Sequence, residues 1–175
     1  MNYRTAAFLA AASFAVEGLC ALAHRALGFD GAPYDHLLDA AYAVAMVGSA
    51  LGIVALARLL STSKPLRVFA FVAAAGFGCM GLESAVGAVH RVGALGPLFT
   101  VGMALGLLGS LAFTITGSIV ARPRWIAAAP LVAIIAAAAG GEMGLSLLSG
   151  AAWLCVAVAA EIPSTRSRDE SSARA

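Results

Sequence analysis

Apolar runs of about 17 to 24 residues, separated by short polar breaks, recur along most of this chain. Bounded by charge, Pro or Gly, they fall near 5–24, 37–60, 66–89, 98–121, 125–141 and 144–160. A helix needs about 20 apolar residues to cross the hydrocarbon of a bilayer, so the pattern predicts an all-α polytopic membrane bundle of six transmembrane helices. The last two runs are shorter and meet at Gly140-Gly141, where access to positive φ suits a tight helix-helix turn. Pro65, Pro97 and Pro123 stand at or just before the start of a run, where a missing backbone N–H costs least.

Composition agrees with the pattern. The 175 residues are 61% apolar and only 11% charged, against roughly a quarter charged in soluble domains. Little chain remains for a soluble domain, and the expected division is a membrane domain over 1–162 and a polar tail over 163–175. That tail, "PSTRSRDESSARA", is mixed in charge and lacks apolar periodicity, so a disordered cytoplasmic end is expected. The net charge of +2 is small and scattered, unlike the clustered basic face of a nucleic-acid binder. The partners expected are the lipid bilayer and, through small-residue helix faces, another membrane protein or a second copy of the chain; nucleic acid is not expected.

Orientation follows from the basic residues, since Lys and Arg near span ends are retained on the cytoplasmic side. In a six-span arrangement Arg4, Arg58, Lys64, Arg67, Arg122, Arg124, Arg166, Arg168 and Arg174 share one side, and only Arg25 and Arg91 lie on the other. Both termini are therefore expected in the cytoplasm, and the Ala- and Gly-heavy composition is compatible with a bacterial inner membrane. A cleaved signal peptide ending near Ala23 would leave the later spans oriented the same way. Glu17 within its apolar region argues for a retained first span instead.

"AFLAAASFAVEGL" at 7–19 lines up with "AFVAAAGFGCMGL" at 70–82, and a fainter echo, "AAAAGGEMGL", follows at 136–145. Three helical hairpins related by parallel repeats, an arrangement known among transporters, is the simplest architecture that accommodates this. Gly48 and Gly52, Gly102 and Gly106, and Gly140 and Gly144 are each four apart, a spacing that puts small residues on one helix face for close packing.

The polar residues inside the apolar runs carry the candidate chemistry. "EGLCALAHR" at 17–25 and "ESAVGAVHR" at 83–91 share Glu, His and Arg at one spacing. Seven residues place each Glu and its His on one face, about 10.5 Å apart along the axis, too far for one metal ion to bridge. If the first and third helices are neighbours, Glu17 and Glu83 form a carboxylate level inside the membrane, with His24 and His90 at its outer surface. Asp39 and Glu142 add acid to the same side. Charged groups at membrane depth usually face the protein interior and mark ion or proton pathways, so these six residues are the candidate transport site. His24 and His90, each followed by Arg, equally suit anchoring at the headgroups, and bis-His haem ligation is the sharp alternative.

No HExxH, phosphate-binding glycine loop or GxSxG elbow occurs, so no enzyme activity, catalytic residue, metal or cofactor is expected. Cys20, Cys79 and Cys155 read as buried free thiols. Tyr34, Tyr42 and Trp125 read as interfacial belt residues and Trp153 as packing within the last span. A small proton- or cation-linked transporter or channel-like protein is the leading expectation, a membrane scaffold or accessory subunit the second, and a haem- or metal-binding protein the third.

Overall fold

Apolar sequence rich in Ala and Leu favours long helices, and in lipid a helix satisfies its own backbone groups. The computed structural model describes residues 3–28, 32–60, 63–90, 96–121, 124–140 and 144–159. These form α1 (Tyr3–Leu27), α2 (Ala32–Leu60), α3 (Lys64–His90), α4 (Gly96–Val120), a 3₁₀ turn (Arg124–Ala128), α5 (Ala129–Gly140) and α6 (Ser146–Ala159), with no strand among the described residues. Pro65 and Pro97 occupy the second positions of α3 and α4. The amide of Gly28, at φ 64°, donates to the His24 carbonyl at 2.9 Å and closes α1, a left-handed cap that glycine adopts without strain.

Four helices are long and apolar enough to cross a membrane, over Arg4–Leu27, Asp35–Leu60, Lys64–Val89 and Gly96–Ile119. The last pair is shorter, with 12 residues in α5 and 14 in α6. Pro130, near the start of α5, cannot supply the amide that would join the 3₁₀ turn to the helix in one α-helical ladder. The Thr114 hydroxyl, shared with the Ser110 carbonyl, reaches the Ala127 carbonyl at 3.0 Å and ties α4 to this junction.

Each helix packs on the next, and α6 closes back on α1, giving a six-membered ring. Neighbours run antiparallel: Gly48 of α2 abuts Ala10 of α1, Gly81 of α3 abuts Met46 and Ala43 of α2, and Gly150 of α6 abuts Ala11 and Phe14 of α1. One large side chain from each helix fills the centre: Phe14, Met46, Phe77, Phe113, Ile134 and Trp153, all essentially fully buried. Small residues let the backbones approach around them, while Phe8, Leu19, Phe71, Leu108 and Ile119 point outward. With lipid outside there is no hydrophobic gain in hiding leucine, so close contact between small residues drives the packing.

Two glycine pairs serve this packing. Gly48 and Gly52 meet α1 and the Trp153 ring of α6, and Gly102 and Gly106 meet α3 and Ile134 of α5. Gly140 and Gly144 do not share a helix face. Gly140 ends α5, and Gly144 sits at φ 80° ahead of α6; the proposed Gly140-Gly141 turn falls partly outside the described residues. Cys20 and Cys79 are half-buried, whereas Cys155 faces outward rather than into the core.

Candidate functional site

Glu17 lies on the inward face of α1, one turn beyond Phe14, and its side chain is 5% exposed. The antiparallel α1–α6 pair puts the start of α6 against it, and the Ser146 hydroxyl donates to Glu17 Oε1 at 2.8 Å. Glu17 Oε2 is buried and has no hydrogen-bond partner among the described residues. A carboxylate with one hydroxyl partner in an apolar interior is costly, and a proton or small cation removes that cost.

Glu83 does not sit beside Glu17 on an adjacent helix. Helix α2 stands between α1 and α3 in the ring, because consecutive antiparallel helices pack side by side before any odd-numbered pair can meet. Glu83 turns toward the start of α4, with Oε1 4.0 Å from where a Gly96 Cβ would stand. Its Oε2 is also buried, without a hydrogen-bond partner among the described residues. Asp39, half-buried on α2, lies over Gly87 with Oδ2 3.1 Å from the position of a Cβ there, and Asp35 and His36 are within its electrostatic reach.

Tyr42 occupies the gap between the two carboxyl-bearing helices. It projects from α2 into the core rather than serving as a belt residue. Its position ten residues past Ala32 carries it nearly three turns below the helix start. The hydroxyl is within electrostatic range of Glu17 and makes a weak contact with Met80 Sδ at 4.0 Å, and the ring lies 6.3 Å from that of Phe99 on α4. Met80 precedes Glu83 by three residues on the same α3 face. The site is thus a layer across the ring: Ser146, Glu17, Tyr42, Met80 and Glu83.

His24 is exposed near the end of α1. His90 ends α3, and its side chain and Glu142 lie outside the described residues. Among the described residues no three His, Cys, Asp or Glu side chains converge as metal ligands. The sequence reading missed Ser146 and the inward turn of Tyr42. The signal for Ser146 was its place at the start of the last apolar run, where an antiparallel α6 must meet the C-terminal half of α1.

Ser146→Ala removes the only hydrogen bond to the buried Glu17 carboxyl among the described residues, and unsatisfied buried acceptors cost about 1–3 kcal/mol. A loss of about 2 kcal/mol in detergent-titrated unfolding is expected, and Ser146→Thr, which keeps the hydroxyl, should recover most of it.

Fold and site together define a helical membrane protein with a carboxyl group sealed into its core. No protein-family profile, curated protein or solved structure matches the chain, so its function rests on its own residues.

Proposed function

We propose that the protein conducts or transports protons or small cations, with Glu17 as the central binding group and Glu83 and Tyr42 as its partners across the ring. The observation that carries this reading is the buried Glu17 carboxyl with an unpartnered oxygen. Further buried polar atoms without partners among the described residues lie deeper than it. Ser49 adjoins Gly48, which packs on Ala10, and Trp153 follows Ser146 by seven residues, so Ser49 Oγ and Trp153 Nε1 lie about 10 Å deeper than Glu17. Ser110 adjoins Gly109, which packs on Ala73, and its Oγ lies about 15 Å below Glu83. Buried polar groups normally find partners, and exceptions at successive depths around the filled centre offer a water or cation a ligand at each level.

The repeat reading also finds support. At an offset of 63 residues Ala7 and Ala70, Ala10 and Ala73, and Phe14 and Phe77 are all buried, while Phe8 and Phe71 are both exposed. Helices α1 and α3 thus present equivalent faces inward, as parallel repeats do. The basic span ends support termini on the cytoplasmic side of a bacterial-type inner membrane.

The test is flux into liposomes holding a pH-sensitive dye under a potassium-diffusion potential, repeated with sodium and potassium gradients. Wild-type protein is expected to acidify or load the lumen; Glu17→Gln should cut the rate at least tenfold with the helical circular dichroism unchanged, and Glu83→Gln should slow it less. The scaffold reading rests on the outward groove of about 450 Å³ between α2 and α3, walled by Ala43, Val47, Gly78 and Leu82. It predicts no flux under any gradient and stoichiometric co-purification with another membrane protein.

A further inference from the structure

A second groove opens between the last two turns of α2 and the first two turns of α3. It encloses about 310 Å³ and is lined by Val54, Ala57, Arg58, Arg67, Ala70 and Phe71. Both arginines are exposed. The four carboxylates among the described residues, Glu17, Asp35, Asp39 and Glu83, all belong to the opposite end of the bundle. Two guanidinium groups therefore share a groove with no described carboxylate near them.

We infer that this groove binds an anionic phospholipid, whose phosphate is held by Arg58 and Arg67 and whose acyl chain lies along Val54, Ala57, Ala70 and Phe71. Position and chemistry agree on this occupant. The arginines stand at the ends of membrane-crossing helices, the depth of the headgroups. Planar guanidinium forks match phosphate oxygens in pairs, and basic pockets between helix ends on the cytoplasmic side recognise anionic headgroups. The apolar walls add contact that a free phosphate ion would not use. Two positive charges with no acid beside them favour a net-negative lipid over a zwitterionic one.

Native mass spectrometry of the full-length protein, titrated in neutral detergent with phosphatidylglycerol or phosphatidylcholine of identical acyl chains, tests this. Phosphatidylglycerol should bind at least tenfold more tightly. Arg58→Gln or Arg67→Gln should each weaken it about fivefold and the pair together about thirtyfold, while Arg25→Gln at the other end leaves it unchanged. Arg58→Lys with Arg67→Lys guards against loss of fold, and should retain preference for the anionic lipid at lower affinity. Equal binding of the two lipids, or an unchanged affinity in the folded double Gln variant, overturns the inference. So does inorganic phosphate binding as tightly as the lipid, which makes the groove a plain anion site. A tenfold gain in lipid binding on neutralising Glu161, Asp169 and Glu170 would mean that these carboxylates, rather than a lipid phosphate, occupy the two arginines, and would overturn the inference as well.

Discussion

Trp153→Ala is expected to lower the stability of the folded bundle by about 3 kcal/mol, measured by reversible unfolding in mixed micelles. Trp153 is fully buried, and its ring lies against Gly52 of α2, where a Cβ would come within 2.8 Å of it. Truncating a large core aromatic costs about 3–5 kcal/mol in water-soluble proteins. The lower end applies here, because the unfolded helices are solvated by lipid or detergent and little transfer energy is lost; what remains is the cavity and its missing contacts. Trp153→Phe separates packing from polarity. It keeps a ring and removes the indole N–H, which has no partner among the described residues, so it should cost less than half as much. If Trp153→Phe proves as damaging as Trp153→Ala, that N–H has a partner after all, and the inward series of polar atoms loses one of its members.

Gly76→Ala is expected to cost a comparable amount, about 3 kcal/mol, at the top of the usual range for overpacking. A methyl group at Gly76 would run into the Gly106 amide nitrogen and, at 2.5 Å, the Gly102 carbonyl oxygen of α4. These obstacles are backbone atoms, so no rotamer change relieves the clash and the α3 and α4 axes must separate. Gly78→Ala, two residues on, is the control. Nothing lies within 4 Å of a Cβ there, and alanine's better helix propensity should make the change neutral or slightly stabilising. Melting temperatures of both variants in one detergent decide the matter. Equal effects would mean that α3 and α4 are not held in backbone contact.

Taken together, the two substitutions treat the bundle as packing around glycine contacts and a filled centre. Glu17 departs from that rule, and it is the residue on which the proposed transport activity depends. Its polar surroundings among the described residues are the Ser146 hydroxyl and, at longer range, that of Tyr42, so few groups there satisfy its charge.

Much of this was legible in the sequence. Apolar run length fixed the number and rough limits of the helices, because a lipid-spanning segment must satisfy its own backbone; Pro65 and Pro97 mark ends where local geometry alone decides. Glu17 stood out for the same reason, since a carboxylate inside an apolar run is costly wherever the helix goes. What the sequence left open was which helices meet. Glu17 and Glu83 share a motif, yet ring order put α2 between them and gave Glu17 a partner 129 residues away in Ser146. Tyr42 looked like a membrane-surface aromatic because its depth was legible and its facing direction was not. In helices that are apolar on every side no amphipathic stripe says which face turns inward. That choice belongs to side-chain size and close approach between helices, which only the assembled bundle decides.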